Sequence, residues 1–308
     1  MTNAFQTGII PEASSDAIFA TFSVKREKIA EAKQALASSS DIITAIQQQF
    51  PDASVYATIG LNHTVWPYFD SDKHPKYLAP FPHFKNLNTE VKETAGELVL
   101  HIRSTRSDAT FELANTLYKA FDDSIELISE VSCFKYLDNR DLTGFVDGTE
   151  NPEGDDRKKV ALVGKEDMDF EYGSYLNLMH FVHDLVTWEQ QDLKTQEDTY
   201  GRTKQDNEEY ASSEKSVHAH TKRTSLKDDN GNSLEILRHS MPFASLEEKG
   251  LVFASYSNTP KPFDLMLKSM VEGDEHGHCD NLLNYTKASR CSTFFIPPIN
   301  WLTSLKSS

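Results

Sequence analysis

The order of strand and helix signals along this 308-residue chain occurs twice, and a duplication restricts the possible folds more than any single motif. In the first half, residues 17–25 (AIFATFSVK) are β-branched and aromatic with partial alternation, which predicts a strand. The polar, alanine-rich stretch 26–38 predicts a helix, and a second short helix is expected over 41–50. Strands follow at 54–61 (SVYATIGL) and 97–104 (ELVLHIRS), then a helix at 108–121 and a strand at 125–137. The second half reads as a strand at 175–181, a helix at 183–196 and strands at 233–240 (SLEILRHS) and 250–258 (GLVFASYSN). A helix at 261–271 and a strand at 293–296 complete it. Residues 96–104 (GELVLHIRS) and 249–257 (KGLVFASYS) match in pattern at an offset of 153, and the two first strands lie about 156 apart.

The order within each unit is βαββαβ, the ferredoxin-like arrangement. The expected fold is therefore α+β: two duplicated ferredoxin-like domains with antiparallel sheets, divided into residues 1–142 and 143–308. The copies differ in their connections. About 35 residues of weak periodicity separate the helix ending near 196 from the strand at 233, and the loop over 143–173 is long, polar and rich in Gly and Asp. Connections of this length inside a compact domain are usually functional or disordered. Both belong to the second half, so the functional site is expected there.

Composition removes several classes of function. A formal charge of −16 repels a phosphate backbone and argues against a nucleic-acid partner. An acidic surface favours solubility and attracts cationic small molecules. No apolar run is long enough to span a membrane. The N-terminal residues show no basic start, hydrophobic stretch or twin arginine, so no export signal is expected. Cys133, Cys279 and Cys291 are odd in number and scattered, as reduced thiols of a cytoplasmic protein would be.

One segment carries chemistry more plainly than the rest. Residues 144–152 read GFVDGTENP: a carboxylate, Asp147, between glycines that allow a tight turn and close approach to a ligand. The hydroxyl and amide side chains that follow can fix the turn, and Pro152 stiffens its exit. Asp147-Gly148-Thr149 alone would read as an ordinary turn. The full string resembles the GxxDGT signature of the dye-decolourising peroxidases, haem enzymes unrelated in fold to plant or mammalian peroxidases. Nearly the whole chain shares that resemblance, and the lack of large insertions is similar to the compact cytoplasmic bacterial subgroup.

The resemblance implies a role for each further motif. Ala219-His220-Thr221-Lys222-Arg223 is similar to the family's SHxxR segment, which makes His220 the axial ligand of haem iron, with Ala219 where Ser is usual. His218 is a rival without the arginine three residues later; alone, either histidine would read as a solvated loop residue. Gly201-Arg202 resembles the segment whose guanidinium pairs with a haem propionate, although a surface arginine is the plain alternative. Arg238, a charge inside an apolar strand that needs a partner, resembles the distal arginine; alternation puts Ser240 on its face and Leu237 and His239 on the other. Some members have Asn where this chain has Ser240. Asp280 matches the carboxylate that accepts from the axial histidine, with Asp274 as competitor and a helix N-cap as the plain alternative. Gly148, Thr149 and Glu150 are expected along the cofactor. The cluster His276-Gly277-His278-Cys279-Asp280 has the residue types of a zinc site, for which only His218 and His220 could supply a second ligand pair.

The resemblance thus implies a haem peroxidase that reduces hydrogen peroxide and oxidises small aromatic donors such as dyes or phenols by one-electron steps. With no Cys-x-x-Cys-His, the haem would be non-covalent haem b. Asp147 would move the peroxide proton and Arg238 would stabilise charge as the O–O bond breaks. Trp188, Trp301, Tyr256 and Tyr136 are candidate electron relays to donors too bulky for the pocket. A homo-oligomer is compatible with these expectations. Encapsulation is not expected, because the chain runs ten residues past Pro298 and lacks a long cargo tail. Two alternatives use the same residues differently. A haem carrier would keep His220 and Arg202 without needing Asp147 and Arg238 together, and a non-haem metal oxidoreductase would use the two His-rich loops.

Overall fold

Strand β1 (Asp16–Val24) is buried on both faces, which explains its nearly continuous apolar run. Ile18, Ala20 and Phe22 pack beneath helices, while Ala17 and Phe19 enter a second core on the other side. The computed structural model describes residues 4–307, so the first three residues of the stretch read for an export signal lie outside the described residues. After β1 come α1 (Ile29–Gln49), β2 (Tyr56–Leu61), α2 (Trp66–Phe69) and a small hairpin, β3 (Phe84–Lys85) with β4 (Glu90–Val91). Strand β5 (Leu98–Ser104), α3 (Ser107–Phe121) and β6 (Ile125–Phe134) complete the first unit. The second begins with α4 (Asp156–Ala161), β7 (Ser174–His183), α5 (Leu185–Glu189), α6 (Leu193–Tyr200) and α7 (His220–Thr224). It ends with β8 (Leu237–Arg238), β9 (Met241–Ala244), β10 (Lys249–Ser257), α8 (Lys261–Val271), β11 (Thr286–Ile296) and α9 (Ile299–Ser304).

The strands form one sheet in the order β6-β1-β5-β2-β11-β7-β10-β8, with β9 also paired to β10. All its pairings are antiparallel. Each half has its own first strand beside its third and fourth, and its second strand beside the third, which is the ferredoxin-like order twice over. The halves meet where Phe295 of β11 faces Leu61 of β2. Leu36 on α1 and Leu113 and Leu117 on α3 cover one face of the first unit; Phe263, Leu267 and Val271 on α8 cover the second. Between the units lies the core that holds Phe19, Val99, Leu176, Val252, Tyr256 and Phe294, and Cys133 of β6 and Phe243 of β9 both reach into it.

Four local expectations change. Helix α1 runs unbroken through 38–41, where two helices were expected, because Ser38 and Ser39 turn their hydroxyls back onto the Ala35 and Leu36 carbonyls. The single helix expected over 183–196 is two: β7 continues to His183, and Asp184 and Asp192 each cap a new helix by accepting the N–H three residues on. The strand expected at 233–240 shrinks to β8 and resumes as β9, because at the break the Ser240 hydroxyl accepts the Ala254 N–H at 3.4 Å in place of a backbone carbonyl. The connection before it carries α7 and short bridges at Arg202–Glu209 and Lys227–Ser233.

Candidate active site

The inner side chains of β7 and β10 and the apolar stripe of α8 leave a space between sheet and helix. Met179, Phe181, Leu251, Phe253, Phe263 and Met266 wall a cavity with about 1190 Å³ of empty space, its mouth included. Apolar walls with a few convergent polar groups are the usual form of a cofactor site. Asp147, His220 and Arg202 from the two long loops and Arg238 of β8 line the cavity, with Asp141 just before the first loop and His183 at the end of β7.

Of the histidines, His220 alone combines a place on this cavity with a ring nitrogen left over. It opens α7, and its Nδ1 donates to Oδ2 of Asp280 at 2.7 Å, while Nε2 has no partner among the described residues. Asp280 is fully buried and its other oxygen accepts the Leu282 N–H at 2.9 Å, so one carboxylate both caps a 3₁₀ turn and orients the imidazole. His183 also faces the cavity, but both of its nitrogens are engaged, by Asp141 at 3.1 Å and by the Thr286 hydroxyl at 2.8 Å. His218 bonds the Cys279 carbonyl and packs edge-on against His278, away from the cavity. Asp274, the competitor of Asp280, is tied to Arg223 and His278. No group of three or more His, Cys, Asp or Glu placed to hold a metal ion occurs among the described residues, so the two His-rich loops do not converge on a zinc-like cluster.

Asp147 and Arg238 line the same cavity. Burial pushes the Asp147 carboxyl up from the ordinary aspartate value; Arg238 opposes this, Asp141 reinforces it, and the Gly148 N–H and His220 oppose it more weakly. The Arg238 Nε is buried without a hydrogen-bond partner among the described residues. Leu237 and His239 point the other way, into the core between the units, as alternation requires. There His239 accepts from Arg103 at 2.8 Å and donates to the Ile9 carbonyl at 2.7 Å. Burial, then the Arg103 charge, holds its pKa well below the usual histidine value, so it stays neutral and removed from the cavity.

This arrangement has known counterparts. Residues 138–301 match the C-terminal domain of the Dyp-type peroxidases and residues 6–135 match the N-terminal domain. The chain belongs to the Dyp-type peroxidase family. A dye-decolorizing peroxidase of Mycobacterium tuberculosis is 33% identical over 96% of this chain and 88% of its own length. Among solved structures, a Dyp-type peroxidase protein from Shewanella oneidensis is 39% identical with a TM-score of 0.96, covering 99% of both chains. A variant of DypB from Rhodococcus jostii RHA1, determined in complex with heme, is 31% identical with a TM-score of 0.94 over 98% of both chains. The protein is thus a Dyp-type peroxidase, an oxidoreductase of a haem peroxidase family.

Within this Dyp-type peroxidase the loop residues after Asp147 have distinct contacts. The Thr149 hydroxyl accepts from Asn207 at 2.8 Å, and Glu150 pairs with Arg202 at 3.2 Å. Arg202 also meets Glu209 at 3.2 Å and bonds Asn207 through Nε and Nη2, so most of its donors are engaged at the cavity edge. Two contributors escaped the sequence reading. Asp141 accepts from Thr143 and His183; burial alone would raise its carboxyl, but the His183 and Thr143 hydrogen bonds hold it below the usual value. Asn151, read only as a turn residue, bonds both the N–H and the carbonyl of Arg238 at 2.8 Å. A carboxylate two residues before a threonine was a visible turn signal for Asp141; nothing local linked His183 or Arg238 to these partners.

Proposed function

We propose that this peroxidase would hold haem b in the cavity through the His220 imidazole, and that Asp147 and Arg238, which line the same cavity, would act together on hydrogen peroxide. The observation that carries this reading is that one cavity is lined both by His220, whose Nδ1 is held by the buried Asp280 while its Nε2 has no partner among the described residues, and by Arg238, whose buried Nε likewise has none among them. The donor set fits the group: imidazole is an iron ligand, a buried carboxylate on its far nitrogen raises its basicity, and the remaining walls are apolar. When bound, haem supplies the iron centre that is oxidised by peroxide and re-reduced by two single electrons from organic donors. Asp147, ionised, accepts the proton of the near peroxide oxygen and returns it to the leaving oxygen. Arg238 stabilises the negative charge that develops there. Gly148, Thr149 and Glu150 lie along the cavity, and Arg202 keeps a donor for a propionate at its edge.

Of the proposed electron relays, Trp188 is buried but joined by ring contacts to the cavity, and Tyr136 lines the second cavity beside Asp147 and Arg238. The Trp188 ring lies 5.9 Å from that of Tyr200, which stands 6.0 Å from His220, and 5.0 Å from that of Tyr285. Tyr256 is fully buried between the units, and Trp301 packs on Trp66 in the first unit. We place the boundary of the two domains at 142/143, supported by family matches that end at 135 and resume at 138. No helix among the described residues is long and apolar enough to cross a membrane. A cytoplasmic site is supported by Cys133, Cys279 and Cys291, all free thiols.

The test is titration of purified protein and its His220→Ala variant with haem, followed by addition of peroxide. Wild type should give a Soret band that shifts with peroxide, and the variant should lose stable binding while its circular dichroism is retained. A static band would favour the haem carrier. An unchanged spectrum in the variant would move the ligand elsewhere.

A further inference from the structure

Strand β8 is an edge strand, and its outer edge is closed by one side chain. On its inner side it pairs with β10 at Ser255 and Tyr256, and the His239 N–H donates to the Ala254 carbonyl. The N–H and carbonyl of Arg238 therefore face outward, where a buried strand edge needs partners. Both find them in Asn151: the Arg238 N–H donates to Oδ1 and the carbonyl accepts from Nδ2, each at 2.8 Å. A carboxamide presents a donor and an acceptor side by side as a peptide group does, so Asn151 replaces a neighbouring strand at this residue.

Asn151 also ends the turn that carries the base. Its N–H bonds the Gly148 carbonyl at 3.1 Å, and the Asp147 N–H bonds the Asn139 carbonyl at 2.9 Å, which holds the loop at both sides of the carboxylate. Gly148 has φ +77° and lies against the Asn151 amide. The far side of the turn is fastened by Thr149 to Asn207 and by Glu150 to Arg202. Asp147, Gly148 and Arg238 line both the apolar cavity and a second, polar one, and Asn151 lines the latter.

We infer that Asn151 is a positioning residue that sets the Asp147 carboxylate against the Arg238 guanidinium by clamping the backbone of the arginine to the loop of the aspartate. The inference rests on the roles given to Asp147 and Arg238 above. Asn151→Gln keeps the same amide but lengthens the clamp by one methylene; Asn151→Ala removes it. Misplacement of reacting groups by about 1 Å costs on the order of 100-fold. We expect both variants to slow the peroxide step of the reconstituted holoenzyme by roughly 10- to 100-fold, with donor KM and haem affinity unchanged.

A second readout needs no haem: infrared titration of the apoprotein carboxyls, with the Asp147 band identified by its loss in Asp147→Asn. Asp147 is influenced by Arg238, Asp141, the Gly148 N–H and His220. Loosening the clamp should weaken the Arg238 influence and move the band to higher pH in the Asn151 variants. In an Arg238→Ala background the further loss from Asn151→Ala should shrink to less than about threefold, since coupled residues are not additive. Folded variants with unchanged peroxide kinetics and an unmoved Asp147 titration overturn the inference, as does a full Asn151 effect without Arg238. If Asp147→Asn and Arg238→Ala are themselves silent, the underlying assignment fails instead. If Asn151→Ala does not fold, the Asn151→Gln result decides.

Discussion

Replacing Asp280 by Asn tests whether the carboxylate behind His220 tunes the iron. Oδ2 accepts from His220 at 2.7 Å and Oδ1 accepts the Leu282 N–H at 2.9 Å, and the side chain is fully buried, so solvent does not screen it. A hydrogen bond to a charged acceptor is worth about 1.5–3 kcal/mol and a neutral one about 1 kcal/mol. Removing the charge therefore costs about 0.5–2 kcal/mol if the amide oxygen stays on His220. The amide has only one oxygen, so its NH₂ must then face the Leu282 N–H; if it turns instead, His220 loses its acceptor and the cost rises to about 3 kcal/mol. The negative charge favours the more positive ferric state, so its loss should raise the ferric/ferrous midpoint by about 20–90 mV, at 59 mV per tenfold for one electron. Haem affinity should fall roughly 10- to 100-fold. Spectroelectrochemistry of the reconstituted variant, with thermal melting as the folding control, measures both. A folded, haem-loaded variant whose midpoint moves by less than a fifth of that range would refute the coupling and leave Asp280 as a cap only.

Arg238→Ala should keep haem and slow stopped-flow oxidation of the enzyme by peroxide by about 10²–10³; an unaffected rate would make the arginine structural. Because Asp147 must be ionised to accept a proton and burial raises its pKa, activity should fall as pH drops through a value above that of an ordinary aspartate. Asp147→Asn should remove most activity, and Arg238→Ala, lacking the opposing charge, should move the acid limb to higher pH. A limb rising through a midpoint of about 6.5 and unchanged in Asp147→Asn would point to a histidine base. Asp141→Ala should destabilise the protein by about 3–5 kcal/mol in denaturant melts, because it leaves buried His183 and Thr143 groups unpaired. The Asp141 carboxyl is depressed on folding, so its contribution is present above the unfolded pKa and lost as pH falls through the folded one. Equal wild-type and variant stability at pH 7 would contradict that reading.

Much of the fold was legible because local pattern and global order agree. Strands buried on both faces, such as β1 and β5, are apolar along most of their length, and the matching runs at 96–104 and 249–257 mark the same position in two units. Where side chains compete with the backbone the reading failed: serines inside α1 kept the helix intact, while the aspartate caps at 184 and 192 broke another. These are decided by hydrogen-bond alternatives of similar energy, which a residue pattern does not rank.

The sequence by itself determined the duplicated unit, the carboxylate loop, and the identities of the histidine and arginine that line the cavity, since each sits in a contiguous string whose residues and order are diagnostic. Only the tertiary structure brought His183 to the cavity wall beside His220 and gave the two rings different partners. Those partners lie 42, 60 and 103 residues away along the chain, and among the described residues they leave a ring nitrogen of His220 without a partner and none of His183. The tertiary structure also chose Asp280 over Asp274 and joined Asn151 to Arg238, 87 residues on. Such pairings are made where chain segments cross, and hydrogen bonds act over about 3 Å of space whatever the separation along the chain.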